Sequence, residues 1–270
     1  MAGLAEEKVR AREQWTQDPC GAVHDREHEF GTREFFDTVE RHRYTEYAPW
    51  MPRVMGFDKF YGARLLEVGC GMGTDLLQFA RGGAYCTGID LTPRSIEITR
   101  HRFRLYDANG AFMISDGENL PFSDESFDVV YSNGVLHHTP DTAGAIREVH
   151  RVLRRGGTAK VMLYHRNSWN YWFDIVLRRG VLRADFLRGR SVAEIMSRVV
   201  EFSEHDARPL VKVYSRKQAR ELFSLFESVT IEVEQLTRAE LRFLSPLVSE
   251  SMLDRLGKLI GWNVIVTAVK

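Results

Sequence analysis

The sequence predicts an α/β fold in which helices cover both faces of a mostly parallel sheet. From residue 64 onward, short apolar runs alternate with amphipathic helical stretches. The first run ends in a glycine-rich turn at residues 69–73, and the second run ends in Asp90. Because strands that alternate with helices at this spacing form βαβ units, the pattern predicts a parallel sheet with polar residues at the ends of its strands.

Composition limits the class of protein. The 270 residues are 44% hydrophobic and 27% charged, which is typical of one large globular domain or of one domain with an appendage. The 37 basic residues balance the 37 acidic ones, so no broad positive field is expected and no nucleic-acid partner is predicted. Three scattered cysteines without a Cys-x-x-Cys motif argue against a disulfide scaffold and a structural zinc site.

The sequence also makes a prediction about location. It contains no run of about 18 apolar residues, so no membrane span is predicted. The first fifteen residues are charged from the start and have no apolar centre, unlike a secretory signal. We therefore expect a cytoplasmic protein.

Local signals justify the elements in order. Residues 1–60 predict a helical lid segment, with Phe35, Phe36 and Val39 at helical spacing. Three positions have the signals of a helix start. They are Thr92, which is followed by proline, Asp141, and Ser215, which has a glutamine three residues later. Glycine pairs at 82–83 and 156–157 mark helix ends. The predicted strands are 64–68, 84–89, 111–115, 127–132, 159–164, 229–233 and 262–269, and the predicted helices are 74–81, one from 93, 141–153 and 215–226.

Two stretches interrupt the alternation within a main domain of residues 61–270. Residues 167–212 are first aromatic and then basic, and they predict an inserted helical cap. Residues 238–260 predict a second helical insertion, whose apolar side could pair two subunits in a homodimer.

The glycine-rich turn and Asp90 predict a nucleoside-containing ligand. Gly69, Gly71 and Gly73 let the backbone turn sharply and approach a ligand without an intervening Cβ atom. Asp90 ends the second strand 17 residues after Gly73, where a carboxylate can accept both hydrogen bonds of a ribose diol. The alternative is a glycine turn in a fold that binds no ligand.

Polar groups also follow the third and fourth strands. Asp116 could accept from an adenine amino group while the next backbone N–H serves a ring nitrogen, although a plain turn is the alternative. Ser132 to His138 follow the fourth strand, at the centre of the sheet. His137 and His138 are adjacent and cannot face the same way, and they lack the spacing of metal ligands, so no metal site is predicted.

Together the motifs resemble those of class I S-adenosylmethionine-dependent methyltransferases, in particular the ubiquinone/menaquinone-type branch that acts on small molecules. The segments that carry the resemblance are LEVGCGMGTDL, GIDLT, SDGENLPFSDESFDVVYSNGVLHHTPD and REVHRVLRRGG, over about residues 60–165. The resemblance implies a Rossmann-like seven-stranded sheet whose last strand is antiparallel, S-adenosylmethionine as cofactor and a small-molecule methyl acceptor. Two departures are Glu67, where aspartate is common, and Arg155, where proline is frequent.

The resemblance also implies residue roles. Gly69, Gly71 and Gly73 would approach the methionine part of the cofactor, Asp90 the ribose, and Asp116 with Gly117 the adenine. Ser132, Asn133 and His138 would lie along the cofactor and face the acceptor. The predicted cofactor-binding set is Glu67, Gly69, Cys70, Gly71, Gly73, Asp90, Leu91, Asp116, Gly117, Glu118, Ser132, Asn133 and Gly134.

A general base is needed only if the acceptor carries a proton near the working pH. His138, His137 and His165 are the candidates, since histidine titrates near neutrality. Acceptor recognition is expected from the N-terminal segment and the cap, with packing or a solvated loop as the alternative role of the same residues. The predicted acceptor-binding set is Tyr44, Tyr47, Tyr164, His205, Arg208, Lys212, Tyr214 and Arg216.

Three other functions remain alternatives. A nicotinamide-dependent oxidoreductase is disfavoured because the loop reads GxGxG in place of GxGxxG, and because no Tyr-x-x-x-Lys pair follows the fourth strand. A methyltransferase that acts on a macromolecule, protein or RNA, is the second alternative. An RNA or DNA methyltransferase would be expected to show a basic surface and often an Asn/Asp-Pro-Pro-aromatic loop, where this chain has SNGVLHH. A non-catalytic binding protein would be expected to have lost part of the glycine loop.

Overall fold

The computed structural model describes residues 2–199 and 209–270. Within them, seven strands form one sheet in the order β3-β2-β1-β4-β5-β7-β6. All neighbouring pairs are parallel except those of β7, which is antiparallel to β5 and β6. The predicted α/β class, the strand number and the antiparallel last strand are confirmed. The strands are β1 Arg64–Val68, β2 Tyr85–Asp90, β3 Gly110–Ile114, β4 Phe127–Asn133, β5 Leu153–Tyr164, β6 Ser228–Glu234 and β7 Asn263–Val269.

The helices begin where their caps predict. The Thr92 side chain accepts from the Ser95 backbone N–H, and Ser215 forms a capping box with Gln218. Three further segments are π-helical, at His42–Tyr47, Pro52–Gly56 and Asn170–Leu182. The α-helices are α1 Ala2–Gln17, α2 Arg33–Arg41, α3 Thr74–Arg81, α4 Pro93–Leu105, α5 Thr142–Val152, α6 Val192–Val199, α7 Arg216–Leu222, α8 Arg238–Leu241 and α9 Glu250–Ile260.

The largest boundary corrections are at β5 and α7. Helix α5 ends at Val152, and Leu153 begins β5 by pairing with Phe127, so the strand starts before the predicted 159 and contains the glycine pair 156–157 that was predicted to end the helix. Helix α7 ends at Leu222, short of the predicted 226. The turn that follows α7 buries both Phe223 and Phe226.

Each face of the sheet carries its own core. On one face α5 and α7 pack on residues such as Leu66, Val130 and Val161, which are fully buried. On the other face α3, α4 and residues 48–57 pack on Leu65 and Tyr131. In the described part of the chain, no helix is both long and apolar enough to cross a membrane.

The strand order positions the candidate site. Strand β1 pairs with both β2 and β4, so the order of the strands reverses between β1 and β4. Ligands of open α/β sheets bind beyond the carboxyl ends of the strands at such a point. We call this side the carboxyl edge. It collects the glycine loop after β1, Asp90 at the end of β2, Asp116 after β3 and the histidine pair after β4.

The described part of the stretch between β5 and α7 packs as a helical layer against the end of the sheet. Its small core joins Tyr171, Ile175 and Ile195 with Val211 and Trp262. Four arginines of the basic run form ion pairs with two aspartates of the same stretch. The pairs are Arg178 and Arg179 with Asp174, and Arg188 and Arg190 with Asp185.

Candidate cofactor and acceptor site

The glycine loop has positive φ angles at Gly69 (79°), Gly71 (52°) and Gly73 (71°), where residues with a Cβ are strained. A Cβ on Gly69 would lie 2.3 Å from the Val135 side chain, and one on Gly73 would lie 2.8 Å from Thr99. A Cβ on Gly71 would meet nothing within 4 Å. The outer glycines are therefore required by packing, while Gly71 borders open space where a ligand could approach the backbone.

The Asp90 carboxylate faces this loop. One oxygen accepts from the Gly71 N–H at 3.0 Å, and the other accepts from the Thr92 N–H at 2.9 Å and the Thr92 hydroxyl at 3.0 Å. Burial raises the pKa of Asp90 and outweighs the opposing hydrogen bonds. These contacts use about three of the roughly four acceptor positions of a carboxylate. The next residue, Leu91, is half-buried.

The carboxylates after β3 contact the N-terminal helix. The Lys8 ammonium lies 2.6 Å from Asp116 Oδ2 and 2.5 Å from Glu118 Oε2. Partial burial by itself would lower the pKa of Lys8, but its bonds to these two carboxylates raise it. Glu118 also accepts from the Asp141 N–H at 2.7 Å, and Gly117 packs closely on Val68. Helix α1 therefore lies against the predicted adenine-binding residues.

His137 is buried and has the wrong environment for a base. Its ring centroid lies 3.9 Å from that of Tyr164 and 4.2 Å from that of His138. Neither of its ring nitrogens has a hydrogen-bond partner among the described residues. Burial first, and His138 second, lower the pKa of His137 well below its usual value. His137 is therefore neutral at pH 7, and the rings of Tyr164 and His138 pack against it.

His138 has the tautomer that a base needs. Its Nδ1 lies 2.6 Å from the Leu210 carbonyl oxygen, which can only accept. Nδ1 therefore carries the proton, and in the neutral ring Nε2 carries the lone pair. The Trp15 ring of α1 packs edge-on against His138 at 5.7 Å between centroids.

His165 lies elsewhere. Its Nδ1 donates to the Gly261 carbonyl at 2.9 Å, and burial lowers its pKa. It lines a cavity of about 420 Å³ together with Asn167, Arg216 and Leu259. Because successive residues of a strand face opposite sides, His165 points away from the side on which Tyr164 contacts His137. The structure therefore does not bring His165 together with the histidine pair.

The buried polar atoms at the carboxyl edge fit a polar cofactor. Glu67 is 3% exposed, and its Oε2 has no hydrogen-bond partner among the described residues. Burial first, and then the nearby Asp75, raise its pKa well above the usual value. Asn133 Oδ1 likewise has no described partner, whereas the Ser132 hydroxyl donates to the Val68 carbonyl at 2.9 Å. Orphaned acceptors beside a loop with open space match the predicted S-adenosylmethionine site.

The remaining predicted cofactor residues support the loops. Cys70 is buried beside Thr99, with 3.8 Å between Sγ and the hydroxyl oxygen, and burial raises the pKa of its thiol well above the usual value. Gly134 has a φ of 77°, and a Cβ there would lie 3.5 Å from Met162. Both positions therefore shape the backbone of the site.

A buried network beside the glycine loop was missed by the sequence analysis. Arg43 donates to both oxygens of Asp75 at 2.7 Å, and the hydroxyls of Tyr44 and Tyr131 donate to the same carboxylate at 2.7 and 2.8 Å. Burial would raise the pKa of Asp75, but Arg43 and the two hydroxyls lower it. Tyr44, predicted to contact the acceptor, thus directs its hydroxyl to Asp75. An acid in the first turn of α3 was the available signal.

Of the predicted acceptor residues, Lys212, Tyr214 and Arg216 contact other parts of the chain. Lys212 Nζ donates to the Pro140 carbonyl at 2.7 Å, and the Tyr214 hydroxyl donates to Thr142 Oγ1 at 3.0 Å. Arg216 donates to the Lys258 carbonyl at 2.6 Å. Two more predicted residues, His205 and Arg208, lie outside the described residues.

Tyr47 and Tyr164 meet in a cavity of about 270 Å³. Its wall includes Trp262, whose ring stacks on Tyr164 at 4.6 Å between centroids. Since Tyr164 also contacts His137, the cavity is separated from the histidine pair by a single ring. The other lining residues are Asn170, Asp174, Ile175, Arg179, Gln235, Thr237 and Glu240.

With this geometry established, known proteins identify the class. Residues 66–161 match the family model described as "Methyltransferase domain". This segment spans β1 to β5 and holds every predicted cofactor residue. Residues 66–161 therefore match a methyltransferase domain, in agreement with the sequence motifs.

Curated relatives include small-molecule enzymes. The chain is 34% identical over 149 residues to the 27-O-demethylrifamycin SV methyltransferase of Amycolatopsis mediterranei, covering 54% of this chain and 52% of that protein. It is 43% identical over 98 residues to the phthiotriol/phenolphthiotriol dimycocerosates methyltransferase of Mycobacterium leprae, covering 36% of each chain. It is 34% identical over 116 residues to the ubiquinone biosynthesis O-methyltransferase of Alkalilimnicola ehrlichii, covering 43% and 47%. The chain thus spans about half or less of these relatives.

Solved structures share the fold. A methyltransferase from Methanosarcina mazei aligns with a TM-score of 0.56 and 19% identity, covering 81% of this chain and 97% of that one. The [4+2]-cyclase SpnF aligns with a TM-score of 0.54 and 19% identity, covering 100% and 94%. At such identity the likeness establishes the fold alone, so the activity has to be argued from the site.

Proposed function

We propose that the protein transfers a methyl group from S-adenosylmethionine to a small organic acceptor. The observation that carries this proposal is the Asp90 carboxylate bound to the Gly71 N–H, because it places the predicted ribose acceptor directly on the open part of the glycine loop. The orphaned oxygens of Glu67 and Asn133 support a polar ligand at the same edge.

The residues of the chain would act mainly by positioning. When bound, S-adenosylmethionine supplies an electrophilic methyl group. The glycine loop and Asp90 would fix the cofactor, and the acceptor would be held next to it. Orientation of two reactants in this way can contribute roughly 7–11 kcal/mol. If the acceptor carries a proton, His138 is the favoured base among the three histidines. Its Nδ1–H bond to Leu210 leaves the lone pair on Nε2, and His165, which has the same tautomer, lines a different cavity.

The acceptor is proposed to bind in the cavity bordered by Tyr47, Tyr164 and Trp262. The charged residues there are already engaged: Arg179 pairs with Asp174, and Glu240 caps the start of α8. Aromatic walls with the amides of Asn170 and Gln235 favour a neutral, hydroxylated acceptor that has apolar surface. Small-molecule acceptors of the curated relatives agree with that class.

Calorimetry with S-adenosylhomocysteine tests the proposal. The wild-type chain should bind it, and Asp90→Asn should weaken binding at least about ten-fold, since hydrogen bonds to charged groups are worth about 1.5–3 kcal/mol. The exposed Asp58 offers a matched control, and Asp58→Asn should bind like the wild type. Absence of wild-type binding, or binding of NADH in its place, would refute the proposal.

A further inference from the structure

Helix α1 crosses the carboxyl edge of the sheet. At one point Lys8 contacts Asp116 after β3, and seven residues later Trp15 contacts His138 after β4. In the sheet, β2 and β1 lie between β3 and β4. The part of α1 between these two contacts therefore passes over the ends of β2 and β1, where Asp90 and the glycine loop lie.

The inward face of this helix includes Gln14. Ala11 is buried at 7% exposure, and Gln14, three residues further and on the same side, is fully buried. Just after the helix, a Cβ on Gly21 would lie 3.6 Å from the Met72 side chain of the glycine loop. The segment that follows α1 therefore passes beside that loop.

The side-chain amide of Gln14 is buried without a described partner. Among the described residues, neither its oxygen nor its nitrogen has a hydrogen-bond partner. Buried polar groups are nearly always hydrogen-bonded, because leaving them unpaired is unfavourable. A fully buried amide on the face of a helix that covers a ligand-binding edge is explained most directly by a bond to the ligand.

We propose that Gln14 binds the amino-acid group of S-adenosylmethionine, an assignment that rests on the proposed function. An amide can accept from an ammonium through its oxygen and donate to a carboxylate through its NH₂, so it matches both charges of an amino acid. Gln14 lies six residues beyond Lys8, or about 9 Å along the helix axis. This separation places it away from Asp116, the predicted adenine contact, and toward the glycine loop, the predicted methionine contact.

Two ligands separate this role from general support of the site. S-adenosylhomocysteine carries the amino-acid group, whereas 5′-methylthioadenosine has the same adenosine and sulfur without it. The variant Gln14→Met removes the amide and keeps the side-chain volume, so that the packing of α1 is retained. We expect its Kd for S-adenosylhomocysteine, measured by calorimetry, to rise between about ten-fold and a hundred-fold. Its Kd for 5′-methylthioadenosine should stay within two-fold of the wild-type value.

The control is Glu13→Ala, because Glu13 is the exposed neighbour on the same helix, and both Kd values should be unchanged. Circular dichroism establishes that each variant is folded. If Gln14→Met raises the Kd of both ligands equally, or of neither, the assignment is overturned while the proposed function stands. If the wild-type chain binds neither ligand, both are overturned.

Discussion

The buried histidine after β4 shows how one residue couples the site to stability. His137 is fully buried beside two rings and has no described hydrogen-bond partner. A charged imidazole would be unfavourable there, and this is the reason that its pKa is lowered. In the unfolded chain its pKa is near 6.5, so below that pH the unfolded state binds the proton and the folded state does not.

The folded state should therefore be less stable in mild acid. Between pH 7.5 and 5.5, His137 should lower the free energy of unfolding by about 1.4 kcal/mol, with the loss beginning as the pH falls through 6.5. Urea denaturation at both pH values measures this, and His137→Phe should remove that part of the dependence. The exposed His101 provides a control, because His101→Phe should leave it in place. An unchanged pH dependence in His137→Phe would contradict the buried, neutral assignment.

Among single residues, the geometry of the predicted cofactor contacts was the easiest to anticipate from the sequence. Gly71 and Asp90 belong to a local sequence pattern in which a strand is followed by a tight turn and a second strand ends in an acidic residue. Their hydrogen bond agrees with that pattern. Gln14 and Asp75 belong to no such pattern, because their importance comes from partners far away in the chain or from the absence of a described partner. Tyr44 was singled out, but its hydroxyl contact with Asp75 was not foreseeable from its neighbours in sequence.

At the scale of elements, the Asp75 carboxylate joins the N-terminal segment to the helix of the glycine loop. Arg43 and Tyr44 belong to the helical segment after α2, and Asp75 lies in the first turn of α3. The carboxylate accepts four short hydrogen bonds in a buried site. Such a network fixes the relative position of two elements, but it is stabilising only while every member is present.

Asp75→Asn should therefore destabilise the fold. Arg43 would lose its buried counter-ion, and breaking such a pair costs about 3 kcal/mol or more. The midpoint of urea unfolding should fall, while the exposed variant Asp58→Asn should unfold like the wild type. A midpoint shift as small as that of the control would mean that the network does not hold the segment in place.

At the scale of the whole molecule, the cavity beside Tyr164 is assembled from distant parts of the chain. Tyr47 comes from the N-terminal segment, Asn170 from the stretch after β5, and Gln235 from the stretch after β6. Tyr164, the last residue of β5, and Trp262, just before β7, supply the wall. No local pattern could have predicted this combination, because its members are brought together only by the completed sheet. A homodimer through the predicted 238–260 insertion stays a prediction; Leu259 there is 61% exposed.

Tyr47 gives this cavity its simplest test, because it is 43% exposed and so can be replaced with little effect on packing. The fluorescent probe 1-naphthol has the expected aromatic and hydroxylated character. Tyr47→Ala should weaken its binding several-fold in a fluorescence titration and leave S-adenosylhomocysteine affinity unchanged. Tyr85→Ala, at a more exposed tyrosine outside the cavity, should change neither. Equal probe binding by Tyr47→Ala and the wild type would argue against this cavity as the acceptor site.

The sequence by itself determined the order of strands and helices, the glycine loop and the acid after β2, because each depends on residues close together in the chain. The tertiary structure alone decided which side chains share a cavity, which carboxylate holds the N-terminal segment, and which face of α1 covers the carboxyl edge. The physical reason is that burial and hydrogen-bond partners are set by contacts across the whole chain, and no spacing within a short segment encodes them.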